Sequence, residues 1–216
     1  DLAVGNVFSG DLTLLLGNGT SFPTATNFAL GGLSPGDTSV ADFNNDGFAD
    51  VAVVLSGSDR VALLLGNGQG GLAGPTNLAT GTFPINSSVA DFNGDGRADL
   101  IVGNGNSQTF SLFLNNGSGL NPAVSLAAGA RPNAITTGDV NLDGIADLVN
   151  SRPGGLVQLR LGVGDGTFQA PGNLNIDTGN GNGDVEIADL NQDTVPDLAV
   201  AVTAPAQVLN ILLQTP

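Results

Sequence analysis

The sequence contains no cysteine, histidine, tryptophan, tyrosine, methionine or lysine, and its five basic residues, all arginine, face 20 acidic ones. Without His or Cys there can be no Cys–His nucleophile, no Ser–His–Asp triad and no nitrogen- or sulfur-ligated zinc or copper site. Without Lys there is neither a Schiff base nor a phosphate-loop lysine. A formal charge of −15 opposes nucleic acid and anionic membranes, which are bound mainly through cationic contacts to phosphate. No apolar run approaches the ~18 residues of a membrane span. No basic–apolar–cleavage-site pattern is present, so any leader is expected to have been removed or to lie outside the chain. The missing cysteines say only that disulfides are not the staple. Most routes to catalysis are closed, and the expectation is a protein that is not an enzyme.

What is present points to strands. The chain has 216 residues, 41% of them apolar, only 12% charged, and 33 glycines. Short runs of Leu, Val, Ile and Ala alternate with Gly- and Asn-rich stretches, the pattern of many short strands joined by turns. Four segments align without gaps: 42–50 (DFNNDGFAD), 91–99 (DFNGDGRAD), 139–147 (DVNLDGIAD) and 189–197 (DLNQDTVPD). Their starts are 49, 48 and 50 residues apart. A strand is expected before each segment, at 38–41, 87–90, 134–138 and 185–188, and another directly after it. Third strands are expected at 12–16, 61–65, 110–114, 156–161 and 208–213, and fourth ones at 25–30, 76–79, 123–127 and 173–176.

A period near 48 residues with four short strands is that of a β-propeller blade, because one small four-stranded sheet cannot cover both of its own faces and must stack on neighbours. The expectation is an all-β propeller of about 4.5 to 5 blades with incomplete terminal blades, a single domain with blades near 1–37, 38–86, 87–133, 134–184 and 185–216. Eighteen strands in sets of 3, 4, 4, 4 and 3 leave the first and last blades one strand short. Either the ends are trimmed, or neighbouring copies supply the missing strands across open sheet edges.

In D-x-N-x-D-G-x-x-D, side-chain oxygens fall at positions 1, 3, 5 and 9, with a backbone carbonyl at position 7. An all-oxygen set with three carboxylates suits Ca²⁺ better than Mg²⁺, which demands a stricter octahedron. An EF-hand is excluded, because position 12 holds Val53, Val102, Asn150 or Val200 instead of a bidentate Glu. Glycine at position 6 (Gly47, Gly96, Gly144) permits a left-handed backbone. The competing reading of a single such loop is an Asx-turn that binds nothing. Twelve of the 20 acidic residues, however, sit in these four loops, and four Ca²⁺ would bring the charge from −15 to −7. The last copy carries Thr194 at position 6 and Pro196 before its final Asp. A β-branched residue at positive φ costs roughly 1–2 kcal/mol, so this site is expected to be the weakest, or its loop to turn differently.

The four loops, with turns such as LGVGDGTF at 161–168, resemble the FG-GAP family of integrin-α-type propellers, especially its bacterial VCBS-like branch. The resemblance implies that each loop joins the inner two strands of a blade and holds one Ca²⁺ at the rim. Carried over by position, the ligands of the first loop are Asp42, Asn44, Asp46, the Phe48 carbonyl and Asp50. Those of the second are Asp91, Asn93, Asp95, the Arg97 carbonyl and Asp99. The third has Asp139, Asn141, Asp143, the Ile145 carbonyl and Asp147, and the fourth Asp189, Asn191, Asp193, the Val195 carbonyl and Asp197. Asp1 corresponds to the last ligand of a fifth loop.

The functional expectation is an extracellular or cell-surface structural and adhesive module stabilised by calcium. It would associate with itself, as in a filament built by strand completion, or with a surface protein or glycan, and not with nucleic acid or the membrane interior. The alternative is a carbohydrate-binding propeller, disfavoured by the lack of Trp and Tyr and by phenylalanines such as Phe43, Phe92, Phe110 and Phe113 at positions that core packing explains. Glu186, the single Glu, lies on a first strand with no assigned role. Asn18, Asn86 and Asn116 fit the glycosylation pattern, and the arginines show no cluster.

Overall fold

Strands this short bury nothing alone, and the computed structural model shows how they combine. The structure describes residues 1–154, 156–174, 183–202 and 208–214. The first sheet contains β1 (Leu2–Asn6), β2 (Asp11–Leu16) and β3 (Thr24–Ala29). The second contains β4 (Pro35–Ala41), β5 (Asp50–Leu55), β6 (Arg60–Gly66) and β7 (Leu72–Ala79). β8 (Pro84–Ala90), β9 (Asp99–Asn104), β10 (Thr109–Phe113) and β11 (Val124–Ala127) form the third. The fourth is β12 (Ala134–Gly138), β13 (Asp147–Arg152), β14 (Leu156–Arg160) and β15 (Gly172–Leu174). The fifth is β16 (Val185–Ala188), β17 (Asp197–Ala201) and β18 (Leu209–Leu212).

The protein is therefore all-β, with five antiparallel sheets in chain order and, among the described residues, the expected 3, 4, 4, 4 and 3 strands. β4 and β8 start three residues earlier than the pattern suggested. Pro35 and Pro84 each sit at a strand start, separated by a register shift from the regular pairing beyond it. Proline is tolerated at both kinds of place. Of the fourth strand expected at 173–176, residues 175 and 176 lie outside the described residues.

Consecutive sheets share a core layer. Leu12 and Leu30 of the first sheet region meet Val53, Leu55 and Leu64 of the second. Phe43, Val54 and Leu63 meet Leu100, Val102 and Phe113. Ile101, Phe110 and Leu112 meet Ile135 and Leu148, and Val149 and Val157 meet Val185, Leu198 and Val200. β5 and β9 are buried along their whole length, because alternate side chains enter the layers on either side. The wholly buried Phe43 and nearly buried Phe92 each contribute about 2–3 kcal/mol of apolar burial.

The first strands of successive sheets run side by side, β4 with β8, β8 with β12 and β12 with β16. Small polar residues make this approach possible: Ser39 and Ser87 share a hydroxyl hydrogen bond of 2.8 Å, as do Ser88 and Thr137. Asp37 accepts from the Ser87 amide at 2.7 Å, and Asn86 Nδ2 donates to the Asn133 carbonyl at 2.7 Å. Together these strands line a polar cavity of about 680 Å³ bordered by Asp37, Ser88, Thr136, Asp184 and Glu186.

Candidate metal-binding loops

Each acidic segment connects the first strand of its sheet to the second, and all four adopt one hydrogen-bonded form. The position-1 carboxylate takes two amides of its own loop: Asp42 accepts from Asp46 and Gly47 at 3.1 and 2.8 Å, and Asp139 from Asp143 and Gly144 at 3.0 and 2.8 Å. Asp189 does the same, and Asp91 accepts the amides of Asn93 and Gly94 in addition to those of Asp95 and Gly96. The position-3 amide braces position 5 from both ends. Asn44 Oδ1 accepts from the Asp46 N–H at 3.0 Å while its Nδ2 donates to the Asp46 carboxylate at 2.9 Å. Asn93, Asn141 and Asn191 repeat this. Position 5 in turn accepts the amide of position 7, in Phe48, Arg97, Ile145 and Val195.

Position 9 behaves differently. Asp50, Asp99 and Asp147 are wholly buried and Asp197 nearly so. One carboxylate oxygen accepts the position-2 amide, of Phe43, Phe92, Val140 or Leu190, at 2.8–3.0 Å. The other accepts an amide just beyond the third strand or at its end: Gly66, Asn115, Gly162 or Gln214, at 2.7–2.9 Å. The residue is thus a clamp between loop and sheet, a role not assigned to it from the sequence. Asp1 does the same in the first sheet, accepting the Gly17 amide at 2.8 Å. The signal was available in the glycines that follow the third strand. A Cβ at Gly66 or Gly162 would clash with the carbonyl of Ala49 or Ala146.

Loops also touch the next sheet. Asn115 Nδ2 donates to Asn45 of the first loop at 3.2 Å, and the Gly166 amide donates to the Phe92 carbonyl of the second at 3.0 Å.

Electrostatics follow from this placement. Burial pushes the carboxyls of Asp50, Asp99 and Asp147 above their ordinary value of 3.8, opposed by the two clamping amides and reinforced by neighbouring loop carboxylates. For Asp50 those neighbours are Asp46 and Asp42. A raised folded value means that these groups favour the protonated fold. Their contribution is complete below pH 3.8 and is lost as pH rises through the raised values. Asp11 and Asp165 are held below 3.8 by neighbouring hydroxyl, side-chain amide and backbone donors, and their contribution is lost only at still lower pH. With calcium chelated, urea unfolding is therefore expected to show stability rising as pH falls from neutral toward 3.8. A monotonic fall over that range would contradict the burial argument.

Among the described residues no three acidic side chains gather into a ready coordination cluster. The donor chemistry nonetheless fits a hard cation. Loop carboxylate oxygens that accept an N–H retain further lone pairs, and position 7 offers a carbonyl. The second loop has its own counter-charge, since the Arg97 guanidinium pairs with Asp95 and its Nε donates to the Asn115 carbonyl at 3.1 Å.

The fourth loop does not turn differently. Thr194 adopts φ 72°, beside 87°, 79° and 84° at Gly47, Gly96 and Gly144, and its amide makes the same bond to Asp189 at 2.9 Å. Thr194→Gly is expected to stabilise the protein by about 0.5–1 kcal/mol in denaturant melts, the relieved strain being partly offset by unfolded-chain entropy. A second left-handed position went unforeseen: position 4, with Asn45, Gly94, Leu142 and Gln192 at φ 60–73°. Only Gly94 hinted at it.

The glycosylation-pattern residues Asn18 and Asn116 cap their own turns, accepting from the amides of Thr20 and Ser118. Phe43, Phe92, Phe110 and Phe113 are core residues as expected, but Phe8, Phe22, Phe48 and Phe83 are exposed.

Residues 42–102 and 91–150, together half of the chain, match the family model described as FG-GAP-like repeat. No curated protein sequence matches the chain. Among solved structures, the V. cholerae biofilm matrix protein Bap1 is similar over 94% of this chain with 19% identity and a TM-score of 0.56. Kuenenia stuttgartiensis hydrazine synthase is similar over 82%, with 12% identity and a TM-score of 0.55. The chain spans 33% of the first and 45% of the second. At these identities the likeness is one of fold.

Proposed function

Because the chain belongs to the FG-GAP-like repeat family, we propose that its sheets are blades of a calcium-stabilised β-propeller serving as an extracellular structural and adhesive module. One observation carries this reading: four loops that share one hydrogen-bonding scheme, each tied by its ninth residue to the end of the third strand of its own sheet. A cation at such a loop would relieve repulsion among three carboxylates and stiffen a segment on which the sheet is hung. The residues to hold it are Asp42, Asn44, Asp46, the Phe48 carbonyl and Asp50, with their counterparts in the other three loops. Bound calcium would supply charge neutralisation and cross-linking, with no chemical step.

Two further observations are in keeping with a role in a matrix. The similarity to a biofilm matrix protein is in keeping with an extracellular setting, where calcium is abundant and a cysteine-free fold needs another staple. β1 and β18 are the outer strands of three-stranded sheets, edges suited to strand addition between copies. No catalytic role is assigned.

Native mass spectrometry with calorimetric titration tests the reading. Four Ca²⁺ per chain are expected, the Asp189–Asp197 loop filling last, and Asp46→Ala should remove one. Absence of bound calcium at millimolar concentration would refute the proposal. Electron microscopy of the same material is expected to show calcium-dependent self-association; monodisperse particles at every calcium concentration would remove the filament part.

A second reading, a carbohydrate-binding propeller, is favoured by the 680 Å³ polar cavity along the first strands. Saturable glycan binding that survives Asp46→Ala and is lost on substituting Glu186 would support it over the first.

A further inference from the structure

The turn between β1 and β2 is unlike its counterparts between β5 and β6 and between β9 and β10. Those turns, residues 56–59 (SGSD) and 105–108 (GNSQ), are polar, whereas residues 7–10 read VFSG. The turn itself does not require apolar residues, since the polar versions close the same four-residue gap. Phe8 is fully exposed, Val7 is 56% exposed, and Leu33 in the connection to the second sheet is 66% exposed. Apolar side chains gathered at one exposed place mark contact sites; scattered ones do not.

These three side chains border a cavity of about 460 Å³ whose wall also includes Ser9, Gly10, Ser34 and Ser58. Hydrogen bonds fix that wall. The Gly10 amide donates to the Asn6 carbonyl at 2.9 Å and the Leu33 amide to Ser58 Oγ at 2.8 Å. The amides of Ser56 and Gly57 donate to the carbonyls of Ser34 and Leu33 at 3.1 Å. A pre-formed concavity of apolar surface with a few placed polar groups has the character of a small-molecule site.

One donor in the wall lacks the acceptor that its equivalent has. At the next junction Asp59 Oδ1 accepts the Phe83 amide at 2.8 Å, and the Leu33–Ser58 bond recurs as Thr82–Ser107 at 3.1 Å. Ser34 is the counterpart of Phe83: each has φ 55° and precedes the proline that opens its strand. Gly10 stands where Asp59 would be, so no carboxylate meets the Ser34 amide from that turn.

We propose that this cavity binds a neutral saccharide, with a C–H face of the sugar on Phe8 and Leu33 and a hydroxyl oxygen accepting the Ser34 N–H. A pyranose ring has an apolar face and a rim of hydroxyls, the same mixture that the cavity presents. The electron-rich ring face of Phe8 attracts C–H groups, and the hydroxyls of Ser9 and Ser58 lie at the rim. A net charge of −15 disfavours an acidic sugar. The ligand class rests on the carbohydrate-binding reading above, but the site is on the turns of the first sheet instead of the polar cavity along the first strands.

The test uses the full chain in calcium, titrated by NMR with cellobiose, maltose and lactose as neutral probes and sodium glucuronate as a charged one. Saturable millimolar binding of a neutral probe is expected, with the Ser34 amide resonance moving along the titration. Phe8→Ala is expected to weaken it by about tenfold, the loss of one stacking contact. Gly10→Asp restores the acceptor of the next junction at a position whose φ of 72° resembles the 53° of Asp59, and it is expected to block binding without lowering the melting temperature. Both variants should keep the calcium count of the wild type, and Asp46→Ala should keep saccharide binding, so this proposal and the calcium reading fail separately. Binding that survives both variants and is lost on Glu186→Gln would leave the carbohydrate reading standing and overturn this site. Absence of saturable binding by every neutral probe would overturn both. A preference for glucuronate, or sedimentation showing that Phe8→Ala dissolves an oligomer that binds no saccharide, would also overturn the proposal.

Discussion

Calcium chelation is expected to lower the melting temperature by about 20 °C or more, the largest effect anticipated for this protein. A ligand that binds only the folded state stabilises it by RT ln(1 + [L]/Kd), about 2.7 kcal/mol at a hundredfold excess over Kd. Four such loops would together contribute about 10 kcal/mol, comparable to the whole stability of an ordinary domain. At this chain length, 1 kcal/mol moves the midpoint by about 2–4 °C. Loops 1 and 2 also contact the third and fourth sheets through Asn45 and Phe92, so loosening them should propagate beyond one sheet. Scanning calorimetry in excess calcium and in excess chelator checks this. Superimposable melts would mean that the loops hold themselves through their own amides, as the Asx-turn reading has it.

Asp99→Ala is expected to cost about 2–5 kcal/mol even with calcium absent. The Asp99 carboxylate is wholly buried and accepts the amides of Phe92 and Asn115 at 3.0 and 2.7 Å. Truncation strands both donors where water cannot reach, at about 1–3 kcal/mol each. Asp99→Asn keeps one acceptor but turns an NH₂ against the other amide, so an intermediate loss is expected. Asp1 makes the corresponding bond to Gly17 at an exposed site, where water can substitute, and Asp1→Ala should cost under about 1 kcal/mol. Urea unfolding of the three variants in chelator separates the clamp from any metal role. If Asp99→Ala and Asp1→Ala proved equally mild, the ninth carboxylate would matter only as a ligand.

The position-9 aspartates illustrate what was legible. Their regular spacing marked them as members of one motif, and an oxygen-ligand reading followed from residue type. Their burial did not follow, because it depends on the end of the third strand of the same sheet closing over the loop. Likewise Arg97 was placed by its carbonyl alone, and its side chain turned out to neutralise Asp95. The strand starts at Pro35 and Pro84 were missed because proline's effect depends on whether its neighbour needs a hydrogen bond there.

The repeat, the all-β class, the strand count and the existence of four chemically equivalent acidic loops were determined by the sequence itself. Each of these is local: apolar runs, glycine turns and a nine-residue spacing constrain the backbone within a few residues. Which carboxylate becomes a clamp and which strand edges share hydroxyl bonds were decided by tertiary structure. Those contacts join residues 15 to 17 positions apart across a sheet, or about 48 apart between sheets. They exist only once pairing and stacking have removed the water between them.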